Sequence, residues 1–460
     1  MNLNINIPGA ATKKLKIQST KAGRKLVIST NFLPLFGFDA DSLVTETVIG
    51  KGEGLVVALA FPLADEKYKK VYSREYKHRR NSPTETLLDI RSQSKLNLAF
   101  GDAQNVHITF EFGKITIRPI EDKYAARVKR AKNSEEAFSA FVACSSGVDA
   151  HSLHSNGFRI DTVLEYRPQE KRDSKNLSES GMLAFLENVP VKGTAFNEDI
   201  YTIDTDILSK EVKKHGTSLL SISLQCDDMS PLKTNKEKLR AVCDLSTTAD
   251  MTLELIRIAA ACQFPFILIE QVQGFLNNPY YSLLKLRLER DSYTVHTAVL
   301  DASRLSGASK RKRAYIFATS FPDTHFSFPE EGSSPTDFWD TFVKPHLADC
   351  RDVSHSKSIQ DGYSGGRLRM ITEQSLSFPT LLKSQRRMAK DTLVIFYKGK
   401  FLMPSEKMER VIMGIPEDFT LNTVSETIAS EIYGQAVEYK SHGEIINSVK
   451  KHMREVSLLK

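Results

Sequence analysis

The chain has 460 residues, of which 41% are hydrophobic, so it has apolar material for packed cores and length for two or three domains, which excludes a disordered chain. Its formal net charge of +7 is compatible with a polyanionic partner without requiring one. The five cysteines (Cys144, Cys226, Cys243, Cys262 and Cys350) are odd in number and lack metal-ligand spacing, which argues against a disulfide framework or a metal site.

The N-terminus lacks the apolar core of a signal peptide, and no apolar run approaches a membrane span, so a cytoplasmic location is expected. Residues 1–130 hold short β-type runs punctuated by Gly and Asn/Asp: 25–30, 54–60, 106–112 and 115–120. Two stretches within them share an order of strand, short helix, turn and hairpin, which suggests an internal repeat. Between them lies the basic segment KYKKVYSREYKHRR, 67–80.

From about 137 the pattern changes to apolar strands alternating with amphipathic helices, the signature of an α/β sheet. Expected strands are 138–144, 159–166, 218–224 and 264–272, then 293–301 and 313–320 as a pair. Residues 331–400 are less periodic and rich in Ser, Gly, Lys and Arg. The last segment reads as helices joined by a Pro-containing turn.

Several motifs carry chemistry. SLLSISL leads into Gln225-Cys226, which places a thiol where a strand ends; a lone cysteine, however, is ordinarily a core residue. ILIEQV places Glu270-Gln271-Val272 at the end of another strand. SKRKRAYIFATS sets Arg311 and Arg313 at the start of a third, where a basic run would otherwise be a solvated face. Further on come Ser377-Phe378-Pro379-Thr380-Leu381, MERVIMGIPEDF (408–419) and Gly434-Gln435-Ala436-Val437.

In this order the motifs resemble the cytosine-5 DNA methyltransferase family, over roughly residues 138–455. The resemblance implies an α/β, Rossmann-like, S-adenosylmethionine-dependent methyltransferase sheet with helices on both faces. The change of pattern sets off a β-rich N-terminal domain (1–130), and the resemblance divides the rest into a catalytic domain (131–330), a target-recognition region (331–405) and C-terminal helices completing the catalytic domain (406–460). The resemblance implies methylation of cytosine C5 in double-stranded DNA by a monomer, of bacterial or phage type and of the restriction-modification kind, without a metal. Cys226 would add to C6, Glu270 would contact N3 and N4, Arg313 would hold O2, and Arg311 would support the flipped nucleotide or its phosphate. Three departures stand out: Gln225 replaces the family proline, Gln271 the family asparagine and Ser309 the family glutamine.

For S-adenosylmethionine the family uses a glycine-rich turn after the first strand. Here the text is Ala143-Cys144-Ser145-Ser146-Gly147-Val148, and only Gly147 remains of the glycines. Ser145 and Gly147 would lie against the methyl donor. Glu165 would bind the ribose, Tyr166 would stack on adenine, Asp199 would meet the adenine amine, and Gln435 would complete the pocket. Arg367, Arg369, Lys383, Arg386 and Arg387 are the expected DNA contacts of the recognition region.

Residues 25–50 also resemble the swapped-hairpin DNA-binding modules of bacterial transition-state regulators, which would add basic contacts through Arg24, Arg74 and Arg79; a β-rich cap on the catalytic domain is the other reading. The altered glycine turn keeps a second function class open, a catalytically silent DNA-binding protein on a methyltransferase scaffold. A third alternative keeps the chemistry but acts on a modified cytosine or on RNA.

Overall fold

The computed structural model describes residues 6–60, 68–76, 78, 84–132, 138–170, 173–226, 228–229, 234–244, 246–332 and 337–459. The chain forms two compact units that divide between Ala126 and Arg127.

The first unit is β-rich. Its elements are β1 (Ala10–Lys16), β2 (Gln18–Thr20), β3 (Gly23–Ser29), α1 (Phe32–Leu35), β4 (Leu43–Gly50), β5 (Gly54–Leu59), β6 (Lys69–Lys70), β7 (Tyr72–Glu75), β8 (Thr84–Ile90), α2 (Gln93–Phe100), β9 (Asn105–Glu111) and β10 (Lys114–Ile120). They build a six-stranded sheet ordered β1-β9-β10-β5-β4-β6 and a four-stranded sheet ordered β2-β3-β8-β7. The two similar stretches take the same course, β3-α1-β4-β5 and β8-α2-β9-β10. Equivalent strands also pair across the copies, β3 with β8 and β5 with β10, both antiparallel.

Strict alternation puts Val106, Ile108 and Phe110 of β9 and Ile115 and Ile117 of β10 into the core shared by the two sheets. Arg24 departs from its expected role. Its guanidinium donates to the carbonyls of Gly101 and Ala103, closing the C-terminus of α2 rather than standing free as a DNA contact. Arg74 is exposed on β7, whereas Arg79 lies outside the described residues.

In chain order α3 (Lys123–Lys132) comes next. The second unit then contains β11 (Phe138–Ala143), α4 (Val148–Ser155), β12 (Phe158–Leu164), α5 (Ser180–Asn188), β13 (Val191–Phe196), α6 (Thr205–His215), β14 (Leu219–Ser223), α7 (Asn235–Cys243), α8 (Met251–Cys262), β15 (Phe266–Val272), α9 (Pro279–Arg290), β16 (Thr294–Asp301), β17 (Ser309–Lys310) and β18 (Lys312–Thr319). The seven-stranded sheet is ordered β13-β12-β11-β14-β15-β18-β16. Its first five strands are parallel, and β18 runs antiparallel between β15 and β16. Helices cover both faces. Leu208 and Val212 of α6 and Leu255 and Ile258 of α8 pack on one face; Leu153 of α4 and Phe185 of α5 pack on the other. Every residue of β15 is buried, as two covered faces require.

The remaining elements are β19 (Arg351–Asp352), α10 (Lys357–Ser364), β20 (Arg369–Ile371), β21 (Phe378–Pro379), β22 (Leu393–Tyr397), β23 (Lys400–Met403), α11 (Glu406–Ile412), α12 (Glu426–Gln435) and α13 (Tyr439–Ser457). The stretch that reads as irregular holds a small sheet, β19-β23-β22-β20. Its β22–β23 hairpin turns at Lys398 and Gly399, with φ of 48° and 76°, the left-handed pair that a two-residue hairpin loop demands. Phe338, Ile371, Phe378 and Leu393 share one core with Met408 and Ile412 of α11 and Tyr433 of α12. Ile445, Ile446 and Val449 of α13 join the core beneath β11, β12 and β15.

Candidate active site

The chain winds outward from β11 to β13, then returns to β14 on the other side of β11. In such a sheet the crevice forms at this reversal, at the carboxyl ends of the strands. A cleft of about 490 Å³ lies there. Cys144, Ser145 and Ser146 enter it after β11, Glu165 and Tyr166 after β12, and Asp199 after β13; Cys226 follows β14, Glu270 ends β15, and Arg313 opens β18. Lys383 and Gln435 also line it.

The turn after β11 keeps a tight shape without the expected glycines. Cys144 and Ser146 take left-handed φ of 59° and 50°, and Gly147 has φ 97°. Such a conformation costs a residue with a side chain on the order of 1 kcal/mol or more. The compensation is visible: the backbone N–H groups of Ser145 and Ser146 both donate to Glu165 Oε2, at 2.7 and 2.8 Å. At Gly147 no compensation is possible. A Cβ there would sit 2.9 Å from Phe185 Cα, the backbone of α5. We expect Gly147→Ala to destabilise the fold by about 1–3 kcal/mol, read as a lower denaturation midpoint.

The same turn hides a carboxylate that sequence reading misses. Asp149, buried in the first turn of α4, accepts from the Ala150 N–H at 2.9 Å and from Ser223 Oγ at 3.3 Å. Burial pushes its pKa up to about 6. Burial likewise raises Glu165 to about 7, against the pull of the two turn amides. Burial and the carboxylates Glu165, Asp149 and Asp199 hold the Cys144 thiol well above its usual range.

Cys226 is half-buried at the mouth of β14. Its loop is tied down on both sides. Gln271 Nε2 donates to the carbonyls of Leu224 at 3.0 Å and Gln225 at 3.4 Å, while Gln271 Oε1 accepts from the Val272 N–H. After the thiol, the Asp228 carboxylate accepts from the Thr248 N–H at 2.7 Å and from the Thr247 hydroxyl at 3.0 Å. The Gln271 amide thus braces a loop that has no proline before its cysteine.

Glu270 pairs in register with Ser223 of β14, and Val272 with Arg313 of β18. Glu270 Oε1 lies 2.9 Å from Arg313 Nε, with both side chains largely buried. The site therefore sets a thiol, a carboxylate and a guanidinium against one cavity.

Arg311 does not join them as expected. Its guanidinium is buried and donates to the carbonyls of Leu381, Gly434 and Gln435, at 3.3, 3.3 and 3.1 Å. A cation there suits the open carbonyl end of α12. Burial and the neighbouring Arg313 lower its pKa to about 9.

Two of the five expected DNA contacts also turn inward. Arg369 donates to the carbonyls of Asp391 and Thr380, at 2.8 and 2.6 Å. Arg386 lies 3.1 Å from the fully buried Glu409. These contacts give both guanidiniums partners within the fold. Lys383 pairs with Glu170 at 3.4 Å and Arg387 with Glu431 at 3.7 Å, whereas Arg367 is exposed. Among the described residues no cluster of His, Cys, Asp and Glu could hold a metal ion, and no helix is long and apolar enough to cross a membrane.

A doubly wound sheet with a thiol, a carboxylate and two layers of helices around a switch-point cleft defines a methyltransferase-type fold. Solved structures share it: the DNMT2 mutant of Spodoptera frugiperda, with TM-score 0.50 at 15% identity, covers 68% of this chain and 99% of its own. The methyltransferase EhMeth of Entamoeba histolytica has TM-score 0.52 at 13% identity, with 70% and 99% covered. The model of the family "C-5 cytosine-specific DNA methylase" matches residues 187–451, and the chain belongs to that family. The type II methyltransferase M.MspI of Moraxella sp. is 29% identical over 208 residues, 42% of this chain and 47% of the relative, so the chain spans about half the length of that relative.

Proposed function

We propose that the protein is a DNA (cytosine-5) methyltransferase using S-adenosylmethionine and a covalent Cys226 adduct. The observation that carries this reading is one cleft lined by Cys226, Glu270 and Arg313 together with Glu165, Tyr166 and Asp199.

The donor pocket fits the methyl donor in its own terms. Glu165 presents a buried carboxylate for a ribose diol, and Gly181 lets it in: a Cβ at that glycine would sit 2.9 Å from Glu165 Oε1. Tyr166 offers a ring, and Asp199 and Gln435 offer polar atoms. Bound there, S-adenosylmethionine supplies an electrophilic methyl group. Because the free protein holds Glu165 near 7, a proton competes with the ribose hydroxyls below that pH. Donor affinity measured by calorimetry should therefore weaken as pH falls below about 7, by up to tenfold per unit, and Glu165→Gln should flatten the dependence.

At the other end of the cleft, C5 of cytosine is too weak a nucleophile alone. The Cys226 sulfur adds to C6, breaking the C5–C6 double bond and placing electron density on C5. Glu270 holds the proton at N3, which relieves the charge that addition creates. Arg313 faces O2, its Nε–Glu270 pair keeping both groups oriented. With C5 methylated, a solvent-borne base takes the C5 proton, the C–H electrons re-form the C5–C6 double bond, and the C6–S bond breaks to release the Cys226 thiolate. The base must leave the duplex stack to reach this depth. Of the expected recognition-region contacts, Arg367 is exposed, while Lys383 and Arg387 would have to exchange Glu170 and Glu431 for phosphates on binding DNA.

The test is incubation of the full chain with duplex DNA and methyl-labelled S-adenosylmethionine, followed by digestion to nucleosides. Label in 5-methylcytosine supports the reading. DNA binding with neither label nor a calorimetric signal from the donor would favour the silent binder.

A further inference from the structure

We propose that the outer face of the six-stranded sheet in the N-terminal unit binds the phosphate backbone of duplex DNA. Residues 1–126 hold 19 Lys and Arg against 13 Asp and Glu, a balance of +6, so the rest of the chain contributes only +1 of the total +7. The cationic excess therefore belongs almost wholly to this unit. Part of it is gathered on one surface.

Because Val106, Ile108, Ile115 and Ile117 point into the core, the alternate residues of β9 and β10 must face outward. The register then sets Lys14 of β1 beside His107 of β9, and His107 beside Arg118 of β10. All three are exposed, as is Lys16 two residues along β1. Adjacent strands lie about 4.8 Å apart, so this row spans roughly 10 Å, a distance that meets several phosphates of one strand. Among the described residues none of Lys14, Lys16 and Arg118 pairs with a carboxylate. The next row is Thr12, Thr109 and Thr116, whose hydroxyls can donate to phosphate oxygens. The one acid facing outward on these three strands, Glu111, is 3.6 Å from Lys114.

An ordinary solvated face mixes both signs. A face carrying cations and hydroxyls in adjacent rows is instead complementary to a polyanion. The choice of DNA among polyanions rests on the proposed function. The face would supply affinity without reading sequence, since phosphate contacts position a protein and base contacts specify.

The experiment measures the affinity of the full chain for a mixed-sequence duplex by fluorescence anisotropy across a KCl series. The variant is Lys14→Gln/Lys16→Gln/Arg118→Gln, and the control removes three exposed cations of the other unit, Lys210→Gln/Lys285→Gln/Lys451→Gln. We expect the slope of log Kd against log [KCl] to become shallower by about 2–3 in the sheet variant alone. Its methyl transfer at saturating DNA should keep the parent rate. An unchanged slope, or an equal loss in the control, overturns the proposal; so does tighter binding of RNA than of DNA through the same residues. If the parent transfers no methyl group but the sheet variant still loses slope, the proposed activity fails and the surface stands.

Discussion

Cys226→Ser protein folds and binds duplex DNA as the parent does, but transfers methyl groups more slowly by a factor on the order of 10³ or more. A serine hydroxyl fits the half-buried site of the thiol, and the braces from Gln271 and Asp228 act on the backbone and the threonines, not on the sulfur. What changes is the attacking atom: an alkoxide is far harder to form near neutral pH than a thiolate, and it adds poorly to C6. Single-turnover rates and denaturation curves of the two proteins separate the effects. A parent-like rate would remove Cys226 from the chemistry and return it to the role of an incidental core cysteine.

Glu270→Gln is the second large effect, a loss of about 10²- to 10⁴-fold in the rate of transfer. The amide keeps an oxygen for Arg313 Nε, which lies 2.9 Å from the carboxylate in the parent, so the pair's geometry can survive. It cannot hold and return a proton at N3. The loss should therefore fall on kcat, with DNA affinity little altered. A variant that loses DNA affinity but keeps kcat would make Glu270 a binding group only.

Six of the seven strands of the sheet were legible because they hold apolar runs, as in FILIEQV, separated by helices with one apolar face; the edge strand β13, VKGTAF, was missed because it is half-exposed and lacks such a run. The cleft-lining positions of Cys226, Glu270 and Glu165 were legible because each follows an apolar run, where a polar side chain at a strand end faces the crevice; Asp199 follows VKGTAF, which is no apolar run, and only the family resemblance pointed to it. The turn at 143–147 was harder to read. Glycine is the usual sign of left-handed backbone, yet Cys144 and Ser146 adopt it here, with the Glu165 carboxylate gathering the turn amides.

Basic residues were the least legible. Arg311, Arg369 and Arg386 sit in runs that read as DNA-facing, but each meets carbonyls or a carboxylate brought from distant sequence, such as Gly434 for Arg311 and Glu409 for Arg386. No local pattern announces an orphan carbonyl at the end of another helix. Asp149 escaped notice for the same reason, since its partner Ser223 lies on β14. The β22–β23 hairpin, by contrast, carried a readable signal in LVIFYKGKFLM, a Lys-Gly turn between apolar runs.

The central claim is covalent attack by Cys226, and a substrate that cannot complete the cycle tests it most directly. Fluorine at C5 cannot leave as a cation, so duplex DNA containing 5-fluorocytosine, incubated with the full chain and S-adenosylmethionine, should leave protein and DNA joined after methyl transfer. The expected result is a denaturant-resistant complex whose cross-linked peptide contains Cys226. Efficient methylation of ordinary cytosine with no such complex, or a complex through another residue, would contradict it.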